Sequence, residues 1–239
     1  YQVPLYVMFR VMSSPDDISR FDHIRRRIDD ALASAGRAPE SCQLIVVSKT
    51  QSADRLAPLV QARQIELGEN YLSEALLKIE ALPDSQIWHY IGAIQSNKTA
   101  PIAQHFDWVH TVDRTKIATR LNDQRPESLA PLQVLIQVNI DEENSKAGCR
   151  PSEVNDLARH IENLPRLRLR GLMSIPAANQ QDPEAPHRAL AALLETLKPH
   201  HPQANCLSMG MSGDLEPAIA AGATQVRIGT AIFGPRTQP

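Results

Sequence analysis

The 239-residue chain is long enough to bury a substantial core, and a single α/β barrel commonly has this size. Its 25 Lys and Arg against 27 Asp and Glu give a formal charge of -2, which excludes a global field that would draw in nucleic acid or an anionic membrane. No run approaches the roughly 20 apolar residues of a bilayer crossing, and three widely spaced cysteines, Cys42, Cys149 and Cys206, suit a reducing cytoplasm better than a disulfide scaffold.

Residues 1–11, "YQVPLYVMFRV", lack the basic start and small-residue cleavage site of a signal peptide and are read as a tag or an extension, leaving 12–239 as one domain. The first element is a helix. Ser14 is its expected N-cap, Pro15 stands at the first helical position, Asp16 and Asp17 follow in the first turn, and Gly36 ends it. Ile18, Phe21, Ile24, Ile28 and Leu32 recur at helical spacing, so the helix lies on a core.

From Gln43 onward short apolar runs alternate with segments of helical period. Strands are expected near 43–48, 65–68, 87–91, 107–111, 132–138, 167–171, 204–207 and 225–228. Repeated β-then-α units imply a parallel sheet, and eight of them fit a closed (β/α)₈ barrel of the TIM type better than an open doubly wound sheet. A barrel of this kind works at the C-terminal ends of its strands, so each polar motif is weighed by whether it directly follows one.

Lys49 in "LIVVSKT" does. It is either a strand-end lysine reaching solvent or an amine whose charge is disfavoured by an apolar floor, which suits a nucleophile that forms Schiff bases. In "ELGENYL", Asn70 stands at a strand-to-helix turn, where it either caps the helix or points into the mouth. His89 in "WHYIGAIQSNK" reads as a hydrogen-bonded core histidine, with Gly92 at the strand end. Lys146 in "ENSKAG" sits in an acidic loop and reads as a solvated lysine, while Met173 and Ser174 in "GLMSIP" form an apolar patch after the sixth strand. "CLSMGMSGDLEP" places Ser208, Gly210, Met211, Ser212 and Gly213 before a helix whose start is set by Pro217, and "VRIGTAIFG" follows with Arg227, Gly229 and Thr230. Phosphate sites in such barrels recur in the loops after strands seven and eight, so the two stretches together read as one phosphate cradle.

A Schiff-base lysine facing a phosphate cradle is what a barrel holding pyridoxal 5′-phosphate needs. The motifs "VSKT", "GENY", "WHYIGAIQSNK", "ENSKAG", "GLMSIP", "LSMGMSGD" and "VRIGTAIFG" also resemble, in order and spacing across residues 14–236, the pyridoxal phosphate homeostasis protein family, whose fold is like the N-terminal barrel of alanine racemase. The resemblance implies that Lys49 carries the cofactor, that Ser212, Gly229 and Thr230 hold its phosphate, and that Arg227 lies beside the pyridine nitrogen. It further implies that Asn70, Met173 and Met211 line the ring, with Lys146 as a secondary contact. It leaves no residue with a catalytic role and no metal site.

A cation beside the pyridine nitrogen disfavours its protonation, which makes the ring a poorer electron sink for transamination and decarboxylation. The chain is also expected to lack the all-β domain and the partner tyrosine base of alanine racemase, Tyr71 and Tyr90 notwithstanding. The resemblance therefore implies a cytoplasmic, monomeric carrier of pyridoxal 5′-phosphate that buffers or delivers it, with cofactor-free enzymes as recipients. The rivals are a low-activity amino-acid racemase and a cofactor-responsive interaction scaffold.

Overall fold

In the computed structural model, which describes residues 15–143, 146–177 and 182–235, helix α1 (Pro15–Ser34) leads into a strictly alternating chain. β1 (Gln43–Val47), α2 (Ala53–Ala62), β2 (Glu66–Glu69), α3 (Leu72–Ala81), β3 (Ile87–Tyr90) and α4 (Thr99–His105) make the first half. β4 (Trp108–Val112), α5 (Thr115–Gln124), β5 (Leu132–Gln137), α6 (Val154–Glu162), β6 (Leu167–Met173), α7 (Ala185–Leu197), β7 (Cys206–Ser208), α8 (Leu215–Ala220), β8 (Gln225–Ile228) and α9 (Thr230–Phe233) complete it. The extension at 1–11 and the Ser14 cap lie outside the described residues.

All eight strands pair in parallel in sequence order, and β8 pairs back onto β1, with Ile45 opposite Arg227, so the sheet is a closed barrel. The expected strand positions hold to within two residues. Closure explains the sequence pattern. A parallel strand covered on both faces needs apolar side chains on successive positions. Leu44 and Val46 accordingly join Leu56 and Leu59 of α2 in the layer between strands and helices, while Ile45 faces the axis beside Gly68.

The expected amphipathic helix is α1, and it buries Phe21, Ile24, Ile28 and Leu32 against α2, α8 and α9. Asp17, fully buried, accepts from Arg55 Nε at 2.7 Å and Nη2 at 2.9 Å, and the same Nη2 donates to the Phe233 carbonyl at 2.9 Å. This paired, hydrogen-bonded charge joins α1, α2 and α9 where the barrel closes. Among the described residues no helix is long and apolar enough to cross a membrane. Cys42 and Cys149 are buried and Cys206 half-buried, all three unpaired, and burial pushes the Cys42 thiol up to about 11.

Candidate cofactor site

The loops after β1, β2, β7 and β8 close around a cavity of about 220 Å³ at the C-terminal end of the barrel. This falls below the roughly 300–1,000 Å³ typical of drug-sized ligands, so the cavity suits a compact one. Lys49, Asn70, Met211, Ser212, Arg227, Gly229 and Thr230 all line it. The barrel thus brings together residues that stand as far apart in sequence as Lys49 and Thr230.

Lys49 is half-buried, immediately after the last residues of β1, and the backbone around it is held from three sides. Lys78 of α3 reaches up through the helix layer and donates to the Ser48 carbonyl at 2.7 Å. The same Nζ pairs with Glu69 Oε1 at 2.6 Å, and the Ser48 hydroxyl donates to that oxygen as well. Glu74 accepts the Thr50 amide at 2.8 Å, while Thr50 itself takes a left-handed φ of 66°. That conformation is uncommon for a β-branched residue and persists where neighbours over-determine it. Burial raises the Glu69 carboxyl despite its Lys78 and Ser48 hydrogen bonds.

Asn70 is not a helix cap: α3 begins after Tyr71 and has no side-chain cap. Its Oδ1 is shielded from solvent and has no hydrogen-bond partner among the described residues, so a polar acceptor at the cavity is left open for a ligand. The peptide of Asn70 is fixed by close approach of the next loop. A Cβ on Gly92 would stand 2.1 Å from the Asn70 carbonyl oxygen, which only glycine permits. Gly229 plays the same part across the closure: its Cβ would meet the Val47 carbonyl oxygen at 2.9 Å, so the loop after β8 lies directly against the end of β1.

Before α8, Asp214 organises the loop that carries Met211 and Ser212. Its Oδ1 accepts the Met211 amide at 2.7 Å and its Oδ2 lies 3.1 Å from Nε2 of the buried His187. Burial alone would raise this carboxyl, but the His187 and Met211 hydrogen bonds, with the charges of His187 and Arg227, hold it below 3.8. Arg227 is buried at the base of the cavity, donating Nη1 to Ser208 Oγ at 2.6 Å and Nη2 to the Ser174 carbonyl at 2.8 Å. Burial lowers its pKa to about 10, which still leaves it cationic near neutrality.

Two sequence-derived residues are not part of the lining. Met173 ends β6 fully buried. Lys146 pairs with Asp141 at 2.7 Å and Glu143 at 3.7 Å in its own loop, the acidic setting expected for it. Conversely, Val47, Thr50, Gln51, Ile91, Ile175 and Phe233 line the cavity without having been singled out. Thr50 was legible as the neighbour of Lys49, whereas Phe233 reaches the cavity only because α9 folds back over the barrel end.

The alanine racemase N-terminal domain family matches residues 20–237. A pyridoxal phosphate homeostasis protein of Vibrio alginolyticus is 54% identical over 223 residues, covering 90% of this chain and 95% of its own. The chain belongs to the pyridoxal phosphate homeostasis protein family. Among solved structures, PipY of Synechococcus elongatus with PLP bound superposes with a TM-score of 0.75 at 33% identity, covering 87% of this chain and 100% of its own. Alanine racemase of Corynebacterium glutamicum superposes with a TM-score of 0.67 at 16% identity, covering 92% of this chain and 62% of its own, a likeness of fold alone. The family therefore accounts for the barrel, and the site rests on the residues described above.

Proposed function

We propose that this protein binds pyridoxal 5′-phosphate at the mouth of the barrel and holds and releases it as part of vitamin B6 homeostasis, which its relatives' name and the PLP-bound PipY structure both support. The observation that carries the reading is the convergence of one amine, one buried guanidinium and the loops after β7 and β8 on a single compact cavity. The group brings an aldehyde that condenses reversibly with a primary amine. Lys49 is the amine at the cavity wall. Ser212, Gly229 and Thr230 supply the small and hydroxyl-bearing wall for the phosphate. Arg227 is a permanent donor with no acceptor atom, so it stabilises an unprotonated ring nitrogen and opposes protonation there. Asn70 Oδ1 offers the open acceptor.

Holding is favoured over turnover because neither Tyr71 nor Tyr90 is part of the cavity lining. Tyr90 is buried, donates to the Ala93 carbonyl at 3.3 Å, and has its phenol pushed up by that burial. A two-base racemisation would need a second base at the wall opposite Lys49.

The test is spectroscopic. The purified protein incubated with pyridoxal 5′-phosphate is expected to become yellow, to lose that absorbance on borohydride treatment, and to carry the fixed label on Lys49 by peptide mapping. Lys49→Ala is expected to stay colourless. A colourless wild-type protein, or label confined to another lysine, would overturn the reading.

A further inference from the structure

Arg227 is supported from beneath by a continuous chain of polar side chains along the barrel axis. Its Nη1 donates to Ser208 Oγ at 2.6 Å, Ser208 Oγ lies 2.9 Å from His110 Nδ1, His110 Nε2 lies 2.8 Å from His89 Nδ1, and His89 Nε2 lies 2.8 Å from Glu66 Oε2. These residues come from β8, β7, β4, β3 and β2, and side chains of such strands meet only inside the barrel. Ser208, His110 and His89 have no exposed surface. Glu66, 23% exposed, lines a separate cavity of about 630 Å³ together with Gln43 and Ile87, at the opposite, N-terminal end of the strands.

The direction of the chain follows from proton counting. A guanidinium has only donors, so Ser208 Oγ accepts from Arg227 and its own proton is free for His110 Nδ1. His110 then carries its proton on Nε2 and donates to His89 Nδ1, and His89 carries its proton on Nε2 and donates to the Glu66 carboxylate. One proton fills each contact, and both rings are neutral. A further proton on His89 would force His110 to turn its proton towards Ser208, which would then face two donors while its own hydrogen lost its acceptor. Burial, with the cationic Arg227 beyond Ser208, holds the His110 imidazole well below its ordinary range, in keeping with a neutral ring. Trp108 stacks on His89 at 5.5 Å, and the Arg170 guanidinium lies 5.6 Å from the Trp108 ring, so an aromatic face and a second cation flank the lower part of the chain.

We propose that Glu66, His89, His110 and Ser208 are positioning residues: a one-directional relay of hydrogen bonds, anchored on a carboxylate at the far end of the barrel, that orients Arg227 towards the cofactor cavity. The inference rests on the reading of that cavity as the site of pyridoxal 5′-phosphate. An amine-bearing loop alone would bind the aldehyde. The relay adds a donor held in one orientation at the base of the cavity.

Two measurements on the full chain test it. Imidazole ¹⁵N NMR at pH 7 is expected to show both His89 and His110 neutral and protonated on Nε2, with or without the cofactor. A cationic ring or an Nδ1-protonated tautomer at either histidine in the wild type would overturn the relay. The dissociation constant for pyridoxal 5′-phosphate, followed by its bound absorbance, is expected to rise about tenfold in Ser208→Ala, which removes the acceptor of Arg227. It is expected to rise roughly threefold or more in Glu66→Ala, at the opposite end of the barrel. Glu66→Gln keeps an acceptor for His89 and is expected to keep both tautomers and the wild-type affinity. An unchanged affinity in Glu66→Ala, or a loss in Glu66→Gln equal to it, would overturn the relay. If Glu66→Ala proves unfolded by circular dichroism, the wild-type tautomers and Glu66→Gln still decide. A wild type that never binds the cofactor would remove the proposed function instead, leaving the tautomer result to stand on its own.

Discussion

Lys49 could be placed at a strand end from sequence alone, but what holds it could not. Lys78 lies in a helix that reads as an ordinary amphipathic segment, and no local signal turns its amine inward to the Ser48 carbonyl. Glu69 and Asn70 are adjacent in sequence and have opposite fates: strand alternation sends Glu69 out to the helix layer, while Asn70 turns into the cavity beyond the strand end. Gly229 was legible as a turn glycine, yet its actual constraint is the Val47 carbonyl of another strand. Gly229→Ala is therefore expected to push the loop after β8 away from β1 and to weaken cofactor retention by about tenfold or more, read from the bound absorbance during dialysis, since misplacing a binding loop forfeits the contacts it makes. Asp214 gives a pH prediction. Its carboxyl is held below its unfolded value of 3.8, so the stability it contributes is fully present above that pH and is lost as pH falls through the folded value. Denaturant midpoints measured from pH 6 down to pH 3 are expected to fall for the wild type and to fall less steeply for Asp214→Asn, which titrates no carboxyl there but still offers an oxygen to the Met211 amide.

At the scale of elements, periodicity located all eight strands because short runs centred on apolar residues recur between segments of helical period. It did not reveal that the interior of this barrel is partly polar. His89, His110, Ser208 and Arg227 occupy axis-facing positions that aliphatic residues commonly fill in such barrels, and from sequence His89 was legible only as a bonded core residue. The helix layer holds its own polar exception in the Lys78 and Glu69 pair, both nearly without exposed surface. Removing one member of a buried pair leaves the other charge uncompensated, at a cost of about 3–5 kcal/mol, whereas replacing both by apolar residues is often neutral. Lys78→Met is thus expected to lower the unfolding free energy by roughly that amount, and Lys78→Met with Glu69→Leu to recover most of it. The double variant still lacks the donor to the Ser48 carbonyl. Its cofactor affinity is expected to stay below wild type although its denaturation curve returns, and a full recovery of both would show that the pair serves stability alone.

At the scale of the whole molecule, the cavity and the closure of the barrel are one feature. The loops that line the cavity follow β1, β2, β7 and β8, the strands that meet at the closing seam, and α1 packs over that seam against α8 and α9. Asp17, Arg55 and the Phe233 carbonyl tie the same region from outside. A ligand seated there bridges the first and last strands of the barrel, so its binding energy acts on the cooperative unit rather than on one loop. A ligand that binds only the folded state adds about 2.7 kcal/mol at a hundredfold excess over its dissociation constant. For a chain of this length each kcal/mol moves the melting midpoint by roughly 2–4 °C. Saturating pyridoxal 5′-phosphate is therefore expected to raise the thermal midpoint of the wild type by about 5–11 °C in scanning calorimetry, as the product of those two figures. Ile28→Ala, which opens a cavity under α1, is expected to lower the midpoint of both the free and the bound protein, at a cost of about 2–5 kcal/mol, while keeping a similar ligand-induced rise. Lys49→Ala is expected to do the reverse, keeping the free midpoint and losing most of the rise. A wild-type rise that survives in Lys49→Ala would place the stabilising contacts in the loops after β7 and β8 rather than at the amine.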